Sequence, residues 1–115
     1  MIVTKDYGGR AGVYAAGDDL VLRRRGELEL GLGQAITAGD VSRDGRTIAL
    51  RSYDRAFIFT KRRRETIADG LARTPCVVGA NLLEEGQGEA LALTGDGRAF
   101  FTVAEGAPAV LRRYR

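Results

Sequence analysis

The chain has 115 residues, of which 44% are hydrophobic and 29% charged, and its formal net charge is +3. This length suits one small domain with one core, and no uncharged apolar stretch is long enough for a transmembrane helix. The chain has a single cysteine, which excludes an internal disulfide. It has no histidine and therefore lacks the commonest general base and metal ligand. The N-terminal residues show no signal-peptide pattern, so we expect a cytoplasmic protein.

Short apolar segments separated by glycine run through the whole chain, which has 16 glycines and only 2 prolines. This spacing is typical of an all-β protein. The predicted strands are, in chain order, 2–5, 12–16, a segment from about 20 that continues at 27–30 after a bend, 36–41, 47–52, 56–60, 75–78, 89–93, 99–103 and 109–113. One helix is predicted over Arg62–Ala72, because Ile67 and Leu71 lie four residues apart on one face.

Two tight turns repeat each other at an offset of 52 residues: Ser-Arg-Asp-Gly-Arg at 42–46 and Thr-Gly-Asp-Gly-Arg at 94–98. Asp-Gly between apolar strands is a strong hairpin signal, because glycine tolerates the positive φ that such turns need. A related strand pair begins at Ile2. Recurrence at such a period indicates a solenoid or a propeller.

A propeller blade has four antiparallel strands, named a to d from the inside outwards. The sequence predicts a single domain, 1–115, with a partial blade (b, c, d) in 1–34, a complete blade in 35–80 and a partial blade (a, b, c) in 81–115. A ring of about two and a half blades cannot close on itself, and unpaired edges associate. We therefore expect self-association, as a homodimer or a trimer, or completion by the remainder of a longer propeller on another polypeptide.

Residues 38–53 and 86–98 resemble the WD40-like β-propeller repeats of bacterial proteins, and they are also similar to esterase-like phytase propellers. The resemblance implies the blade fold. It also implies, through the hydrolases among these relatives, a metal near the mouth of the central channel.

In propellers the b–c loops and the d-to-a connections lie at one end of the sheets, which we call the loop end. Binding residues commonly lie on loops held by a rigid scaffold, so candidates are sought there. The polar residues predicted at the loop end are Lys5, Asp6, Tyr7, Gln34, Thr37, Arg51, Tyr53, Asp54, Asn81, Glu84, Glu85, Gln87, Glu89 and Glu105. The predicted ligand-binding residues among them are Arg51, Tyr53, Asp54, Gln87, Glu89 and Glu105.

Glu89 and Glu105 form the best acidic pair, and two carboxylates can bind Ca²⁺, which takes oxygen ligands only. Alternatively, Glu89 pairs with Arg51 or another arginine and fixes a loop. Arg51 and Tyr53 alternate onto one side of an extended segment, where an arginine fork beside a phenol could hold a phosphate or carboxylate. The alternative is that the arginine stem packs against the ring.

The leading functional hypothesis is a non-enzymatic binding or scaffold module, because the serines have no histidine to activate them and no catalytic motif is present. The rival is part of a phytase-like or esterase-like hydrolase with Ca²⁺ at Glu89 and Glu105; no other cofactor is predicted. The basic run Lys61–Arg64 lacks interleaved aromatic residues and is interpreted as a solvated face. We therefore expect neither a nucleic-acid nor a membrane partner.

Overall fold

The computed structural model describes residues 1–79 and 82–115, which form three antiparallel sheets, one short α-helix and a 3-10 helix over Leu82–Glu85. Sheet 1 contains β1 (Ile2–Val3), β2 (Arg10–Ala16) and β3 (Leu22–Glu29). Sheet 2 contains β4 (Ala38–Val41), β5 (Thr47–Arg51), β6 (Ala56–Thr60) and β7 (Cys76–Val78). Sheet 3 contains β8 (Gly88–Leu93), β9 (Phe100–Ala104) and β10 (Leu111–Tyr114). The predicted all-β class is confirmed, and within each sheet the strands lie side by side in chain order.

Both Asp-Gly turns form, and they have the same geometry. Gly45 and Gly97 each have φ near +68°. In turns 42–46 and 94–98 the first hydroxyl donates to the aspartate, at 2.7 and 2.6 Å. The same aspartate oxygen accepts the backbone N–H of the arginine two positions on, at 3.0 and 3.1 Å. The repeat seen in the sequence is therefore a repeat of structure.

The helix α1 spans Ile67–Leu71 and is shorter than the predicted Arg62–Ala72. Its start is fixed by a capping box: the Thr66 hydroxyl accepts the N–H of Asp69 at 3.1 Å, and the Asp69 carboxylate accepts the N–H of Thr66 at 2.8 Å. Because this cap sets the first turn, residues 62–65 lie outside the helix.

The strand β3 is continuous, and the bend predicted within it is a β-bulge. Val13 of β2 faces Gly26, whereas Tyr14 faces Arg24, so Arg25 has no partner.

Sheet 2 is covered on both faces. The larger core cluster packs it against sheet 1 and comprises Ala11, Val13, Leu28, Ile36, Ile48, Leu50, Phe57, Phe59 and Leu71. The smaller cluster packs it against sheet 3 and comprises Ala56, Leu82 and Phe100. Alternation along each strand explains the division, since Ile48 and Leu50 point to one side of the sheet and Arg51 to the other.

Sheets 2 and 3 are joined along β4 and β8. The Thr37 hydroxyl donates to the carbonyl oxygen of Gly88 at 2.7 Å, and the N–H of Leu93 donates to the Asp40 carboxylate at 2.8 Å. These bonds hold the first strand of sheet 3 beside the first strand of sheet 2. No helix within residues 1–79 and 82–115 is long and apolar enough to cross a membrane.

Candidate functional site

One polar side chain from each sheet meets at the loop end, and we call this group the Lys5–Tyr53–Glu89 cluster. Lys5 follows β1, and Tyr53 follows β5. Glu89 lies in β8 at an irregularity in its pairing, because Gly88 faces Ala104 while Ala90 faces Val103. The loops and this bulge bring together residues up to 84 positions apart.

The cluster is a closed set of hydrogen bonds. The Lys5 ammonium donates to the Tyr53 phenol at 2.8 Å and to a Glu89 carboxylate oxygen at 3.3 Å. The phenol donates to the same oxygen at 3.1 Å. The ammonium also lies 5.0 Å from the centre of the Tyr53 ring and 5.9 Å from that of Tyr7, within cation–π range. The Lys5 and Glu89 side chains remain 39% and 46% exposed, so a ligand can reach them.

These contacts fix the protonation states of the cluster. The hydrogen bond to Tyr53, assisted by the one to Glu89, raises the pKa of Lys5. Lys5 first, then Tyr53, lower the pKa of Glu89. The pKa of Tyr53 is raised: the Lys5 bond lowers it, but Tyr7, desolvation and Glu89 together outweigh that effect. At neutral pH the cluster is an ammonium, a carboxylate and a neutral phenol, a set suited to hydrogen bonding rather than to proton transfer.

The structure separates Arg51 from Tyr53, which were predicted to act together. The Arg51 side chain is fully buried and turns towards sheet 3, whereas Tyr53 lies in the exposed cluster. Glu89 pairs with Lys5 and not with Arg51. Arg51 and Tyr53 are therefore not brought together, and the described partner of Glu89 is Lys5, where the alternative in the sequence was Arg51 or another arginine.

Arg51 belongs to a buried polar network between sheets 2 and 3. One of its nitrogens donates to Glu85 at 2.9 Å and to the carbonyl of Ala90 at 3.3 Å. The other oxygen of Glu85 accepts the hydroxyls of Thr102 at 2.6 Å and Tyr114 at 2.7 Å. Desolvation pushes the pKa of Glu85 up, but these three donors outweigh it and hold the pKa below its ordinary value. The network is structural, and sequence reasoning missed the Arg51–Glu85 pair, whose partners are 34 residues apart.

Gly88 leaves the space that the Arg51 guanidinium fills. A Cβ atom at this position would lie 1.9 Å from Nη2 and 2.3 Å from Cζ. Nη2 is buried and has no hydrogen-bond partner within the described ranges.

Asp54 serves the loop that joins β5 to β6. It accepts the Ser52 hydroxyl at 2.9 Å and the Gln34 side-chain amide at 3.3 Å, and it pairs with Arg55 at 3.5 Å. Ser52 and Gln34 are buried, so these bonds hold the loop in place.

Glu105 and Gln87 lie at the loop end but apart from the cluster. The N–H of Glu105 donates to the carbonyl of Gln87 at 2.8 Å. The Glu105 side chain lines a groove of about 260 Å³ with Glu84, and Glu89 is not in its lining. Residues 1–79 and 82–115 contain no group of three His, Cys, Asp or Glu residues that could hold a metal ion. Asn81, also predicted at the loop end, lies outside the described residues.

Comparison with known proteins gives a structural neighbour. No protein-family model and no curated protein matches the chain. A solved structure of a protein from Lactobacillus plantarum, of β-propeller-like type, matches with a TM-score of 0.59 and 16% identity. The likeness is one of fold. It covers 93% of this chain and 35% of that one, so this chain spans about a third of the neighbour's length.

Proposed function

We propose that the chain is a non-enzymatic binding or scaffold module of the β-propeller type, whose sheets 1, 2 and 3 are a partial, a complete and a partial blade. The observation that carries the proposal is the meeting of one polar side chain from each sheet in the Lys5–Tyr53–Glu89 cluster. Strands of consecutive blades meet in this way when their loops open onto a common end. The chain-order strand pairing and the propeller-like neighbour support the same architecture.

Two strand edges support completion of the ring by further strands. In blade terms, sheet 1 lacks an inner neighbour for β1, and sheet 3 lacks an outer neighbour for β10, among the strands described. An open groove of about 380 Å³ lies beside β1, lined by Val3, Ile36 and Leu50 among others. Unpaired edges recruit strands from other chains. In this proposal the ring is completed by copies of this chain, as a dimer or a trimer, or by the remainder of a longer propeller.

Sedimentation velocity at micromolar concentration tests this proposal. A homogeneous dimer or trimer supports self-assembly, and a stable monomer supports completion by the remainder of a longer propeller. Leu111→Lys on the β10 edge should dissociate the assembly, because that side chain, 70% exposed, would lie at the new strand pair. Leu32→Lys is the matched control, since this 88% exposed residue lies in the connection between sheets 1 and 2. Equal effects of both variants contradict edge pairing.

The hydrolase alternative places Ca²⁺ at Glu89 and Glu105. No contact of the described residues favours it, because the Lys5 ammonium already pairs with Glu89. Calorimetric titration with calcium separates the two proposals. We expect no calcium binding that depends on Glu89, whereas binding that is lost in Glu89→Gln would favour the hydrolase.

A further inference from the structure

The end of the sheets opposite the Lys5–Tyr53–Glu89 cluster is rich in arginine. We define the turn face as residues 42–46, 61–65, 94–98 and 113–115. These segments are the β4–β5 turn, the segment after β6, the β8–β9 turn and the end of the chain from within β10. They combine sheets 2 and 3 into one surface.

Contacts between the segments show that the surface is continuous. The N–H of Lys61 donates to the carbonyl of Arg46 at 2.9 Å, which joins the second segment to the first. A Cβ atom at Gly97 would lie 2.7 Å from the Thr47 hydroxyl oxygen, which places the two Asp-Gly turns side by side. A groove of about 500 Å³ lies between segments 94–98 and 113–115.

Eight exposed arginines lie on this face: Arg43, Arg46, Arg62, Arg63, Arg64, Arg98, Arg113 and Arg115. Within the described ranges, Arg62 reaches a carboxylate only at 4.0 Å, and the other seven have none within that distance. Most arginines elsewhere are in ion pairs, namely Arg10, Arg23, Arg24, Arg51, Arg55 and Arg73. Unpaired guanidinium groups are thus concentrated on the turn face.

The carboxylates of the turn face form hydrogen bonds and ion pairs with groups near them in the sequence. Asp44 and Asp96 are held by the hydroxyl and the arginine N–H of their own turns. Glu65 accepts the N–H of Arg62 at 2.7 Å and pairs with Arg73. Among the described residues, Glu65 lies 4.0 Å from the Arg62 guanidinium, and the guanidinium groups of the other seven arginines remain available to an anion.

Opposite charge collects at the other end of the sheets. The acidic residues near the loop end are Asp6, Asp54, Glu84, Glu85, Glu89 and Glu105, against the basic Lys5, Arg51, Arg55 and Arg112. The net charge of +3 for the whole chain therefore understates the charge of the turn face. The expectation against a nucleic-acid partner rested on the missing aromatic residues of the run Lys61–Arg64, and the fold brings arginines from three other segments to the same face as that run.

We infer that the turn face binds the sugar-phosphate backbone of a nucleic-acid duplex without reading its sequence. Arginine forks match phosphate oxygens in bidentate fashion. The only aromatic residue of the face, Tyr114, stacks on Phe100 and donates to Glu85, so it offers no platform for an unpaired base. The face has no large aliphatic side chain to insert into a bilayer, which argues against a membrane. This inference is independent of the use proposed for the loop end.

Fluorescence anisotropy with a labelled 20-base-pair DNA duplex tests the inference. The logarithm of the binding constant falls with the logarithm of the salt concentration, with a slope of about −0.9 for each phosphate contact. If four arginines contact phosphates at once, the affinity should therefore fall roughly 150-fold between 50 and 200 mM KCl. Two duplexes of unrelated sequence should bind equally well.

The double variant Arg46→Gln/Arg98→Gln removes one arginine from each Asp-Gly turn. It should weaken binding at 50 mM KCl at least about tenfold and reduce the salt slope by about two. The matched control is Arg25→Gln/Arg112→Gln, which removes the same charge from two arginines outside the face that also lack ion pairs in the described ranges. Circular dichroism checks that both variants fold.

Four results of the ligand-binding measurements would overturn the inference. They are no duplex binding at 50 mM KCl, an equal loss in the control variant, tighter binding to single-stranded DNA than to the duplex, and tighter binding to vesicles containing phosphatidylserine than to the duplex. Salt-sensitive self-association that disappears in Arg46→Gln/Arg98→Gln would also overturn it, because a second copy would then occupy the face.

Discussion

Gly88→Ala adds one methyl group beside the buried guanidinium of Arg51. The new Cβ would lie 1.9 Å from Nη2, 2.3 Å from Cζ and 2.6 Å from Nη1, so the guanidinium must move by more than about 1 Å to reach an ordinary contact distance. The Arg51 and Glu85 side chains are 0% and 2% exposed, and the displaced charge therefore cannot move into water.

The displacement separates Arg51 from Glu85, now 2.9 Å apart, and leaves both charges buried. Loss of a buried pair costs about 3–5 kcal/mol. Alanine at this position lowers the conformational entropy of the unfolded chain, which offsets up to about 1 kcal/mol of this loss. We expect a net loss of about 2–4 kcal/mol in the free energy of unfolding, a large part of the roughly 5–15 kcal/mol of a typical domain. The melting temperature should fall by about 10–15 °C.

Urea unfolding at a fixed protein concentration measures this loss. The urea concentration at the unfolding midpoint should fall. The dependence of the unfolding free energy on urea should stay the same, because the surface exposed on unfolding does not change. Gly95→Ala is the control, since its Cβ would meet no atom within 4 Å, and it should remain within about 0.5 kcal/mol of the original chain. If Gly88→Ala is equally mild, the guanidinium is free to move and our reasoning about the site is wrong.

Three further predictions follow from particular contacts. Lys5→Met should raise the pKa of Glu89 towards its ordinary value, because Lys5 is the main cause of its depression; an unchanged carboxylate titration by NMR would contradict this. The lowered pKa values of Asp44 and Asp96 give stability that is fully present above their unfolded pKa values and is lost as the pH falls through the folded ones. Between pH 6 and pH 2 the free energy of unfolding should therefore fall less steeply when both aspartates are changed to asparagine. An equally steep fall in the original chain and in the variant would refute the linkage. Thr66→Ala should cost about 1 kcal/mol by removing the helix cap, whereas Thr66→Ser should be nearly neutral in thermal unfolding; equal losses would contradict the capping role.

The strands and turns could be predicted because their signals are local. Residues 42–46 and 94–98 carry their own hydrogen-bonding groups, so the turn is determined within five residues. The helix was predicted too long because the spacing of Ile67 and Leu71 gives the period and not the first residue. The capping pattern from Thr66 to Asp69 was in the sequence and would have placed the start correctly.

The site was harder to predict because alternation along a strand does not reveal what covers each face. Arg51 was assigned to an accessible loop end, but sheet 3 covers that side of β5 and buries it. Its partner Glu85 lies on a different element, and no local pattern links the two. Likewise, the bulge at Glu89 can be located only when the register of β8 against β9 is known, and the sequence does not give this register.

The chain-order arrangement of strands has a consequence for the route of folding. Each strand pairs with the strand next to it in the sequence, so each sheet can grow by closing short loops, at a small entropic cost per step. The hydrogen bond between Lys5 and Glu89 joins the two cluster residues that are farthest apart in the sequence. We expect it to form only after sheet 2, which lies between sheets 1 and 3, has folded. Hydrogen exchange should therefore be slowest in β5 and β6, which are buried on both sides, and fastest in β1 and β10, whose opening leaves the central sheet intact.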